Sequence, residues 1–123
     1  MKYLLALVLA LLAPLAAAQN WVTLLKNTPA ERFDEEDLRI FLDTARKVLA
    51  EGKESEVLRW ENPNTRARGE FTVLRVFEWK SHPCKEVRVY SEAGGRKGAN
   101  DRSLCQVDGK WRLVSASQLK KKK

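Results

Sequence analysis

The residues able to do chemistry in this chain are few. Of its 123 residues, two are cysteine and one is histidine. Cys84 and Cys105 are too far apart for a CxxC redox pair, and one histidine does not complete a metal site with them. A structural disulfide is the chemistry left to them, and two cysteines allow only one intramolecular pairing. The loop it would close, about 22 residues, is worth roughly 3 kcal/mol in the chain-entropy account. That is a large share of the ~5–15 kcal/mol that stabilises a small domain. His82 precedes Pro83 and has no nucleophile placed beside it, and no serine sits in a Gly-x-Ser-x-Gly elbow. Gly94-Gly95-Arg96-Lys97-Gly98 has the glycine and cation content of a phosphate cradle. It lacks the Walker spacing and joins two strand patterns rather than a strand and a helix. It reads as a hairpin loop over Glu92 to Asp101, with Arg96 and Lys97 as candidate contact residues. The expectation is a chain with no catalytic set, no metal site and no cofactor.

Two further constellations have a structural explanation. Glu35, Glu36 and Asp37 form an acidic cluster, which the preference of helix N-termini for carboxylates accounts for. Trp60, Trp79 and Trp111 interleave with Arg59, Arg66, Arg68, Arg75 and Arg112. Such a face could stack bases or sugars, but each tryptophan lies in an apolar strand pattern and a large ring stabilises a small domain most when buried.

The elements that must position these residues follow from periodicity. Residues 1–18 read as a secretory signal peptide: Lys2, an apolar run from Leu4 to Leu15, and small residues before a cut between Ala18 and Gln19. Residues 19–33 (with Trp21, Leu24 and Leu25) form an entry segment broken at Asn27-Thr28-Pro29, loosely docked and with one helical turn at most. A domain over 34–116 follows, then a basic tail over 117–123. In the domain, Asp34 is a plausible N-cap, Leu38, Phe41, Leu42, Ala45, Val48 and Leu49 repeat at helical period, and Gly52 is a stop. Strand patterns cover Ser55–Glu61, Glu70–Lys80, Cys84–Ser91, Arg102–Val107 and Lys110–Ser115, with polar bends at Arg66–Gly69 and at Ser81-His82-Pro83, and the tightest turn at Asp108-Gly109. Glu70–Lys80 is the longest run. Phe71, Val73, Phe77 and Trp79 share one of its faces, interrupted by Arg75. The fold class is therefore α+β: one amphipathic helix on an antiparallel meander of about five strands, with one disulfide.

The formal net charge is +7. Setting aside Lys2, which leaves with the signal, and Lys120, Lys121, Lys122 and Lys123 leaves a body of about +2, so the basic balance is largely a tail property. The tail allows peripheral contact with an anionic surface, though a solvated end explains it as well.

Three motifs stand in order: Trp60-Glu61-Asn62-Pro63 followed by Gly69, then Cys84-Lys85-Glu86, then Cys105-Gln106-Val107-Asp108-Gly109-Lys110-Trp111. Behind an amphipathic helix, this resembles the C-terminal domain of the bacterial 17 kDa surface antigen family, over about Asp37 to Ser115. The resemblance implies a Gram-negative envelope protein without an established catalytic activity, in which Trp60, Asn62, Pro63, Glu86, Asp108, Gly109 and Trp111 are structural motif residues. The chain departs from that pattern in having no lipoprotein cysteine and no glycine-zipper segment before the domain, which points to the periplasm, with outer-membrane association as the neighbouring possibility. The expected function is a disulfide-stabilised binding or structural module, its partner an envelope protein or an anionic polymer. Two other readings compete. One is a binder of nucleic acid or cell-wall polymer through the tail and the Arg/Trp face. The other is an inhibitor of an envelope enzyme, with the Glu92–Asp101 loop as the inserted element.

Overall fold

A computed structural model describes residues 25–120. The signal peptide, the start of the entry segment with Trp21 and Leu24, and Lys121 to Lys123 lie outside the described residues. The elements run as a 3-10 turn (Pro29–Arg32), α1 (Glu35–Glu51), β1 (Val57–Glu61), β2 (Arg68–Trp79), β3 (His82–Ala93), β4 (Arg96–Val107), β5 (Lys110–Val114) and α2 (Ala116–Lys120). The strands form one antiparallel sheet in sequence order, β1-β2-β3-β4-β5. The α+β meander with one main helix and one disulfide is thus the architecture of the described residues.

Helix α1 forms where the apolar stripe demanded it. Asp34 caps it: its Oδ1 accepts from Asp37 N at 2.8 Å, while Asp37 Oδ2 accepts from Asp34 N at 3.0 Å, a reciprocal capping box. The stripe buries Phe41, Ala45, Val48 and Leu49 against β1 and β2. The aromatic centre is tight: Phe41 lies 5.1 Å from Phe71 and 6.1 Å from Trp60, and Phe33 meets Trp60 edge-on at 5.2 Å. Gly52 ends the helix at φ −65°, so space rather than a left-handed backbone requires glycine: a Cβ there would come within 2.4 Å of Val48 O. The entry segment docks more firmly than its sequence predicts. Its 3-10 turn packs on β3 and β4, with Pro29 and Ala30 buried.

Three expectations change with the tertiary structure. First, Glu92–Asp101 is no loop. β3 and β4 stay paired from Cys84↔Cys105 to Ala93↔Arg96, and only Gly94 and Gly95, both at positive φ, make the turn. The two glycines satisfy the left-handed backbone of a two-residue hairpin, so the strands extend through polar residues that carry little strand propensity. Second, the turn before the cysteine is Lys80-Ser81, both at positive φ, so His82 and Pro83 open β3; Arg68 and Gly69 likewise belong to β2 rather than to a bend. Third, Phe77 and Trp79 do not share a face with Phe71 and Val73. The register shifts between Val73↔Val87 and Arg75↔Glu86, and this β-bulge moves every later side chain of β2 to the opposite face. There Phe77 and Trp79 join Val114, Leu119 and the buried disulfide in a second, smaller core.

Candidate functional site

The motif residues converge on α1 from both ends. At its N-terminus, Asp37 is 2 % exposed and takes hydrogen bonds from Asn62 Nδ2 (2.7 Å) and Thr65 Oγ1 (2.6 Å). Burial by itself would raise this carboxyl. The hydrogen bonds from Thr65, from the Asp34 backbone and from Asn62 together outweigh it and hold the group below its ordinary value. Asn62 is itself buried and also closes the β1–β2 turn, its backbone N–H donating to Ala67 O and its Oδ1 accepting from Asn64 N. Pro63 stands exposed beside it. At the C-terminus, Lys85 Nζ donates to Gly52 O (2.8 Å) and Val48 O (3.1 Å), and lies 5.9 Å from the Trp111 ring. The sheet thus supplies the cation that the negative end of the helix favours. Burial pushes the Lys85 ammonium down, with Glu56 opposing.

On the other face of the sheet, Cys84 and Cys105 face each other across β3 and β4 and are bonded, both fully buried. Glu86 pairs with Arg75 at 3.1 Å on the solvent-facing side of the sheet. Asp108 and Gly109, both at positive φ, form the β4–β5 turn. Trp60 is core, while Trp79 and Trp111 are half-buried on opposite faces. The three tryptophans therefore do not form one interleaved face with the arginines. Arg59 and Arg68 are bonded to Glu70 and Glu92 on neighbouring strands, and their tryptophan neighbour Trp60 is buried.

An apolar cavity of about 50 Å³ lies between α1 and the sheet, lined by Phe41, Val48, Phe71, Val87 and Leu104 and roofed by Leu25 and Pro29. A space of that size holds at most a few waters, and it carries no acid–base pair. His82 makes no side-chain hydrogen bond among the described residues, and no group of three or more His, Cys, Asp or Glu is placed there to hold a metal.

The open depression worth considering is at the other end of the sheet. The β1–β2 turn and the Gly94-Gly95 hairpin stand side by side because Glu61↔Arg68↔Glu92↔Lys97 form one rung across four strands. A cleft of about 600 Å³ separates them, lined by Arg66, Arg68, Arg96 and Lys97 together with Glu61 and Glu92. Glu92 is bonded to Arg68 and lies 3.3 Å from Lys97 Nζ. The Arg68 hydrogen bond is the main cause holding its carboxyl down at about 2. Arg32, on the 3-10 turn, packs on Gly94, its Cδ so close that a Cβ there would meet it at 2.6 Å. Arg96 and Lys97, the expected contact residues, are here, on the first residues of β4 rather than on a long loop.

Asp37, Thr65 and Lys85 make long-range contacts that the sequence analysis does not assign to them. For two of them a signal exists. Asp34 and Asp37 have capping-box spacing, and Lys85 is the one charged residue in the inward alternation Lys85, Val87, Val89, Ser91. Lys120 ends α2 and is exposed. Among the described residues no helix is long and apolar enough to cross a membrane. No family model matches this sequence, and no curated protein and no solved structure is significantly similar to it.

Proposed function

We propose that the chain is a non-enzymatic, disulfide-stabilised module of the bacterial envelope, exported to the periplasm or the periplasmic side of the outer membrane, where it binds another envelope component. One observation carries the reading: the residues that stand out in the sequence are spent on holding the scaffold. Asn62 and Lys85 clamp the two ends of α1, and Cys84–Cys105 staples the sheet. They do not converge on a point where a substrate atom would sit. A fully buried bridge in a small domain fits an oxidising compartment, and the signal-peptide pattern of residues 1–18 points the same way.

The test is a crosslinked pull-down from periplasm, with the Cys84→Ser/Cys105→Ser chain as misfolded control. Specific capture of an envelope component by the oxidised protein alone is the expected result. Recovery of the protein from cytosol with two free thiols overturns the reading.

A second reading, attachment to an anionic polymer, is favoured by the cations at the hairpin cleft and by the lysine tail, not by an Arg/Trp surface. It predicts retention on an anionic matrix that falls steeply with salt. Unchanged retention after deleting Lys120 to Lys123 removes the tail from it.

A further inference from the structure

The cleft between the β1–β2 turn and the Gly94-Gly95 hairpin holds more positive charge than its own carboxylates neutralise. Four cations line it against two carboxylates. Arg68 and Lys97 are both engaged by Glu92. Arg66 and Arg96 have no carboxylate within ion-pair distance among the described residues, and both line the cleft, Arg66 from the β1–β2 turn and Arg96 from the start of β4. Arg66 is also held at φ +68°, a left-handed backbone that glycine or asparagine adopts far more readily.

We infer that this cleft is a binding site for a phosphate ester, with Arg66 and Arg96 as its two principal ligands. Guanidinium groups present paired N–H donors that match the oxygens of a phosphoryl group, and two of them on separate elements suit a multiply charged oxyanion better than a single carboxylate. Arg68 and Lys97 are held by Glu92 at the floor and supply further positive potential without being free to collapse onto the ligand. Thr65, adjoining Arg66, is tied to Asp37. The rim of the site is therefore anchored to the N-terminus of α1 and is preorganised rather than built on a floppy loop. The inference deepens the binding-module reading by naming a ligand chemistry, and it rests on that reading only in placing a ligand on this surface.

The test is titration of the purified protein with inorganic pyrophosphate, following backbone amide resonances, with acetate at matched ionic strength as the control anion. Saturable shifts confined to residues 65–68 and 94–97, absent with acetate, are expected. The Arg66→Asn/Arg96→Gln chain, in which asparagine suits the left-handed backbone at 66, should bind at least about tenfold more weakly with an unchanged melting temperature. Equal binding by that chain, equal shifts with acetate, or no saturable binding overturns the proposal. A parallel arm measures co-sedimentation with phosphatidylglycerol vesicles after deletion of Lys120 to Lys123. Arg66/Arg96-dependent sedimentation assigns the phosphate to a lipid headgroup, and pyrophosphate binding without sedimentation assigns it to a soluble ester. Failure of the titration leaves the envelope pull-down untouched, so the two readings fail separately.

Discussion

Asn62 Nδ2 donates a 2.7 Å hydrogen bond to Asp37 Oδ1, and both side chains are almost completely buried. This bond joins the β1–β2 turn to the first turn of α1 across 25 residues of sequence. It is the point where the helix is registered on the sheet.

Replacing Asn62 by alanine leaves a buried carboxylate short of a donor and opens the turn that Asn62 closes. Chemical denaturation should show a loss of about 1–3 kcal/mol, the usual cost of an unsatisfied buried polar group. Asn62→Asp should cost more at neutral pH, because it sets a second carboxylate against Asp37. A loss below half a kcal/mol for both would remove this contact from the fold's supports.

The depressed Asp37 carboxyl gives stability a defined pH dependence. Its folded value lies below the ordinary 3.8, so the unfolded chain binds the proton first as pH falls. Its contribution is fully present above the unfolded value and is lost as pH drops through the folded one. Glu92, lowered from 4.5 to about 2, acts in the same sense as pH falls between those values. The Asp37→Asn chain should therefore be less stable near neutrality and lose less as pH falls through 3.8 and below. Parallel pH profiles for the two proteins would contradict this.

Lys85→Met keeps most of the unbranched stem but removes the donor to Gly52 O and Val48 O. The last turn of α1 should fray, read as faster amide exchange over residues 48–52, with a stability loss of about 1–3 kcal/mol. Burial lowers the Lys85 ammonium below its ordinary 10.5. In the window just under that value the unfolded state holds more protons than the folded one, so wild-type stability rises with pH there. The methionine chain should lack that rise.

Gly69→Ala tests the closest approach in the sheet. The added Cβ would sit 2.5 Å from both Trp60 Nε1 and Tyr90 O. The indole can shift but the backbone carbonyl cannot, and overpacking of this kind costs about 1–3 kcal/mol. The near-ultraviolet signal of Trp60 should change with it.

Cys84→Ser/Cys105→Ser removes a cross-link over 21 residues. The expected loss is about 3 kcal/mol. Because both sulfurs are fully buried, a reductant should reach the wild-type bridge only once the protein is unfolded. Reduction at equal rates with and without denaturant would contradict the buried placement.

The sequence by itself determined the framework: an amphipathic helix from Asp34 to Gly52, an antiparallel meander, and a single cysteine pairing. Those are local properties, since helical period, two-residue turns such as Asp108-Gly109 and a pair of cysteines each declare themselves within a short window. Tertiary structure decided what a window cannot contain. The bulge after Val73 turned Phe77 and Trp79 to the face opposite Phe71, because pairing with β3 sets the register and alternation alone does not. The polar run after Gly95 became strand because β3 offered it a complete ladder of partners. Asn62 and Lys85 became the two clamps of one helix because the sheet carries them to its opposite ends. Arg66 and Arg96, 30 positions apart in sequence, came to face one cleft because a single rung across four strands sets their two turns side by side.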